Sequence, residues 1–165
     1  MARSLGLGAL ALMMICFPDH AANAQSRLGQ FLPKLTPGEI FPGADRFGPI
    51  EGKPPAATVF AADHPLGHVF LNSDIVNAAG YSGKPIDIVV ALSLDGRIAG
   101  ARLVEHHEPI VLVGIPPAKI EGFIQGYVGR KVTDTPSSSD VGAPVDVVSG
   151  ATVSAMVIGD SITRS

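Results

Sequence analysis

The chain has no tryptophan, two tyrosines and one cysteine among its 165 residues, and only 16% of them are charged. Each scarcity excludes something. With so few aromatics there is no row of rings on which successive bases could stack. A formal net charge of −3 without any basic run argues against nucleic acid, whose binding relies on clustered Lys and Arg. The one cysteine, Cys16, lies in an apolar leader, so the chain beyond the leader has no thiolate for an iron–sulfur cluster, a disulfide or a zinc site. Ile15 precedes it where a lipoprotein signal would carry a small residue.

Long hydrophobic runs are also missing. The longest, Leu5 to Phe17, follows Arg3 and precedes Ala22-Asn23-Ala24, which is the layout of a secretory signal peptide over residues 1–24 with Gln25 as the first mature residue. A membrane anchor is the competing reading, and the run is short for crossing a bilayer.

What is present favours one α+β domain: 46% apolar residues, 19 glycines and 14 prolines. Residues 25–55 form a Pro/Gly-rich lead-in, because repeated prolines remove ladder donors. A short helix is expected around Arg27 to Leu32, and Gly43 to Gly48 reads as an ordered turn or a plain surface loop. The main domain is expected over 56–165. Thr58-Val59-Phe60 and His68-Val69-Phe70-Leu71 read as strands joined by a turn at Asp63 to Gly67. Ile86 to Leu94 and Arg97 to Glu105 read as a hairpin about Asp95-Gly96. The fold class is therefore a small, mostly antiparallel sheet with a β-hairpin and flanking helices. One helix is expected to start at Pro116-Pro117, with Ile120, Phe123 and Ile124 on one face. Another is expected over Thr152 to about Thr163.

The segment that carries chemistry is Asp146-Val147-Val148-Ser149-Gly150-Ala151-Thr152. A strand-like run passes a glycine turn and enters a helix, which places Thr152 at a helix N-terminus, where free N–H groups and the dipole favour an anion. An ordinary N-cap by Ser149 or Thr152, worth about 1 kcal/mol, explains the same pattern. Asp146 can likewise be a strand-end carboxylate in a turn hydrogen bond. His106 and His107 are adjacent, so on a strand they face opposite sides and cannot chelate one metal together. No catalytic triad or nucleophile elbow is visible, and no metal site is expected.

Asp146, Ser149, Gly150, Ala151 and Thr152 resemble the flavinylation motif of the FMN-binding domain family, which includes the RnfG and NqrC subunits of ion-pumping redox complexes. Gly43 to Gly48, Asn72 to Ile75, Gly80 to Asp87 and Glu105 to Ile110 are similar to the extracytoplasmic domain of NosR/NirI proteins, which serve nitrous oxide reduction in denitrifying bacteria. The likeness covers essentially the whole chain beyond the leader.

The resemblance implies FMN joined by a phosphoester to Thr152, installed from FAD by a flavin transferase of the ApbE type. Gly150 would then let the backbone approach the phosphate. Tyr81, His107, Glu108 and Pro109 are candidates for the ring slot, since Glu108-Pro109 is similar to a Glu-Thr-Pro-Gly stretch beside the flavin in RnfG-like relatives, although the Gly-Leu-Gly continuation is missing. The implied partners are the nitrous oxide reductase system and membrane redox carriers, in a periplasmic setting. NosR-type chains continue into membrane helices and cysteine-ligated clusters; this one ends at Ser165, as a truncated product, a fragment or a separate domain. The role is that of an electron carrier or, alternatively, of a non-redox regulatory or docking domain, and not of a stand-alone enzyme.

Overall fold

The computed structural model describes residues 26–76, 79–80, 82–109, 115–132, 159 and 162. Their organising element is a five-stranded antiparallel sheet with strands in chain order: β1 (Arg46–Glu51), β2 (Ala56–Ala61), β3 (His64–Leu71), β4 (Asp87–Ser93) and β5 (Ile98–Glu105). Four short helices accompany it: α1 (Leu28–Phe31), running on into a 3₁₀ turn over Leu32–Lys34, α2 (Pro37–Ile40), α3 (Asn72–Ile75) and α4 (Pro117–Gln125). This is the small, mostly antiparallel α+β class expected.

The interior strand β4 shows why the sheet is buried on both sides. Successive side chains along a strand alternate between faces. Ile88 and Val90 enter one apolar cluster, with Ile98, Ile115, Ile120, Ile124 and Ile162; Val89 and Ala91 enter another, with Leu28, Phe31, Leu32, Ile40 and Phe41. Residues 28–41 thus form a strap across one face. α4 covers the other together with Ile162, a residue in helical conformation.

The hairpin comes out as read. Ser93 and Arg97 pair through their backbones, and Gly96 adopts φ +78°, the left-handed conformation this tight connection requires. The Ser93 hydroxyl holds the Asp95 carboxyl below its ordinary value, with Arg97 adding to the effect.

Two expectations need correction. Residues 46–51, read as part of an irregular lead-in, form edge strand β1. Gly48 and Pro49 are tolerated because the register shifts between Phe47 and Ile50 and the outer edge has no neighbouring strand among the described residues. The turn read at Asp63 to Gly67 shrinks to Ala62 and Asp63, and β3 begins at His64. Pro65 fits because the β4 ladder reaches β3 only from Gly67 onward.

Candidate cofactor site

Asp146, Ser149, Gly150, Ala151, Thr152 and Tyr81 lie outside the described residues, whereas His107, Glu108 and Pro109 lie within them. These three follow the end of β5. Glu108 is 1% exposed, and its Oε1 accepts the Ser82 N–H at 3.1 Å. The facing loop is tightly wound: Gly80 N–H donates to the Lys84 carbonyl, Gly83 N–H donates to the Gly80 carbonyl, and Gly83 has φ +71°. A Cβ at Gly80 would overlap the Glu108 carboxyl group, so a larger residue at 80 would force that carboxyl group to move. The structure therefore brings Glu108 together with Gly80 and Ser82, which the sequence showed only as a glycine-rich connection. His107 and Pro109 are exposed. His106 Nδ1 is buried and has no hydrogen-bond partner among the described residues.

The strands that lead into this region are pinned at their ends. Asn72, buried where β3 gives way to α3, donates from Nδ2 to the Ile86 carbonyl at 2.9 Å and accepts the Ile88 N–H at 2.6 Å. Asp87, whose side chain is fully enclosed, accepts the Ser73 hydroxyl and the Arg27 guanidinium, each at 2.5 Å. Arg27 also reaches Glu105 at 2.8 Å, and Ser26 donates to Asp74 at 2.7 Å. Burial pushes the Asp87 carboxyl above its ordinary value, against the opposing pull of Ser73 and Arg27. No sequence pattern could have joined Arg27 to a carboxylate sixty positions on.

On the helix-covered face, Phe123 and Tyr127 meet edge to face with centroids 5.6 Å apart. Burial raises the Tyr127 hydroxyl, and nearby Arg130 counteracts it. A Cβ at Gly159 would overlap that hydroxyl, so Gly159 lies in close contact with Tyr127, just beyond α4. The described residues contain no group of three or more His, Cys, Asp or Glu side chains that could hold a metal ion. No helix among them is long and apolar enough to cross a membrane.

A model of the FMN-binding domain family matches residues 80–165, more than half of the chain and the whole of the Asp146 to Thr152 motif. The chain belongs to the FMN-binding domain family. Within that class it is similar to the regulatory protein NosR of Stutzerimonas stutzeri, at 34% identity over 97% of this chain and 22% of the relative. It is also similar to NosR of Pseudomonas aeruginosa, at 36% over 81% of this chain and 19% of the relative. Protein NirI of Paracoccus denitrificans is 42% identical over 61% of this chain and 14% of that protein. The chain thus spans about a fifth of the length of its NosR relatives.

Proposed function

We propose that the chain is an exported, FMN-carrying module of a NosR-like protein that supports nitrous oxide reduction, with FMN held as a phosphoester on Thr152. The observation that carries this reading is the match of residues 80–165 to the FMN-binding domain family, with Asp146, Ser149, Gly150, Ala151 and Thr152 in place. In the attachment step the Thr152 oxygen bonds to the FMN phosphorus of FAD, AMP departs, and the hydroxyl proton is lost to solvent or the transferase. Thr152 is thus an acceptor, not a group that works in turnover. A covalent link suits a periplasmic setting, where no cytoplasmic FMN pool can refill an emptied site.

The described residues fit such a group. The Nδ1 of His106, buried and without a partner among the described residues, would offer a polar contact just after β5, and the loop that Glu108 anchors would supply a fixed wall. FMN would supply the redox chemistry, while the protein binds, orients and shields it. Membrane redox carriers are the proposed partners. An ApbE-type transferase installs the cofactor.

A second reading has its own support: the NosR relatives are named as regulatory proteins. In that case the flavin domain senses or docks rather than conducts electrons. Intact mass after co-expression with a flavin transferase tests the first reading. Wild type gains one FMN and Thr152→Ala gains none; equal gain on both, or none on either, sinks the covalent claim. A loaded domain that no donor in a reconstituted membrane reduces would favour the regulatory reading.

A further inference from the structure

The exposed large apolar side chains among the described residues gather at one end of the sheet. Leu94 is 65% exposed at the β4–β5 turn, and Val128 and Val132, at 38% and 39%, stand on the segment after α4. That segment is tied to the hairpin by backbone bonds: Gly129 N–H to the Ile98 carbonyl at 2.7 Å, Ile98 N–H to Arg130 at 2.9 Å, and Val132 N–H to Gly96 at 3.0 Å. Arg97 adds a bond to the Gly129 carbonyl at 3.0 Å. The three apolar residues are thus carried on one hydrogen-bonded platform.

Charge on the platform departs from the rest of the chain. Segments 94–97 and 126–132 contain Arg97, Arg130 and Lys131 against the single acid Asp95, three cations less one anion, or +2. The whole chain is −3. Arg97 pairs with Asp95, which leaves Arg130, stacked over the Tyr127 ring at 5.4 Å, and Lys131 as the outward charge.

We propose that this end of the sheet docks on an anionic phospholipid surface, with Leu94, Val128 and Val132 entering the headgroup boundary and Arg130 and Lys131 meeting lipid phosphates. Aliphatic side chains flanked by Lys and Arg are the composition of interfacial membrane contacts. Protein–protein interfaces are enriched in aromatics and arginine and depleted in lysine; the platform presents Lys131, and its one aromatic, Tyr127, is half-buried beneath Arg130. The hairpin is stiffened for such a role. The Ser93 hydroxyl donates to the Asp95 carboxylate and accepts the Arg97 N–H at 3.1 Å, so Leu94 is presented on a fixed turn.

The test is co-sedimentation of the full chain with phosphatidylcholine vesicles made with and without phosphatidylglycerol, at low and high salt. The apolar stretch near the N-terminus is common to every variant, so the differences between variants carry the result. The double change Arg130→Glu with Lys131→Glu is expected to weaken binding to phosphatidylglycerol vesicles by at least about 25-fold, near fivefold for each cation lost, with the two added acids weakening it further. Leu94→Ser is expected to weaken binding to both vesicle types. Lys34→Glu with Lys53→Glu changes net charge equally, away from the platform, and is expected to bind as wild type. The proposal is overturned if the platform variants bind unchanged or if the control pair loses as much. It is equally overturned if the lipid-free chain is an oligomer that the platform variants dissociate, since a second copy is then the occupant.

Discussion

The two faces of the sheet are closed by different means. On one, the strap over residues 28–41 lays Leu28, Phe31, Leu32, Ile40 and Phe41 against Ala57, Val59, Val69, Leu71, Val89 and Ala91. It is then fastened at its start by Arg27 to Asp87 and Glu105. On the other, α4 and Ile162 bury Ile86, Ile88, Val90 and Ile98, and among the described residues no ion pair joins α4 to the sheet. Apart from Phe70, the buried residues of the helix face belong to the stretch matched by the FMN-binding family, while the strap and β1 to β3 precede it. Under the proposed function, the strap holds the sheet in shape and the helix face carries the cofactor region.

The sharpest way to break that assignment is at Gly100 on the strap face. A Cβ there would overlap the Ile40 carbonyl oxygen, which is backbone and cannot swing away. Gly100→Val is expected to cost about 4 kcal/mol or more, seen as a collapse of the urea midpoint. Next come matched truncations, Leu28→Ala on the strap and Ile124→Ala on α4, both fully buried. Each is expected to cost about 3 kcal/mol in chemical denaturation. They should differ in flavin content: Leu28→Ala keeps incorporation under conditions where the protein stays folded, and Ile124→Ala loses part of it. Equal losses would dissolve the distinction between the faces.

The smallest effect is a slope at Asp87. Burial raises this carboxyl above 3.8, so between that pH and the raised value the folded chain holds more proton than the unfolded chain. Its contribution therefore falls as pH rises through that window and is flat above it. Urea midpoints taken across the window should show this downward component in wild type, and Asp87→Asn should lack it.

The sequence foretold the elements whose signal is local. Alternation from Ile86 to Glu105 about Asp95-Gly96 places β4 and β5 within a residue or two of where they lie. Pro116-Pro117 marks the start of α4, and Ile120 and Ile124 are buried as its spacing requires. β1 was illegible because Gly48 and Pro49 mask it, and only its place at the sheet edge makes them harmless. At the candidate site, Glu108 was singled out from its likeness to relatives. Its clasp with Gly80 and Ser82 was not, because a contact across 26 positions leaves no periodic trace. The Arg27–Asp87 pair was hidden for the same reason.

The order β1-β2-β3-β4-β5 has a consequence for how the molecule assembles. Every strand pairs with the next in the chain, so three of the four connections are short turns, only the one from β3 to β4 through α3 is longer, and sheet growth costs little entropy. The sheet can zip hairpin by hairpin, while the two covers close late: the strap must fold back to Asp87 and Glu105, and Ile162 must return from the far end to seal Ile88 and Ile124. A chain interrupted before Ile162 would therefore form its ladder yet leave a greasy face open to chaperones and proteases.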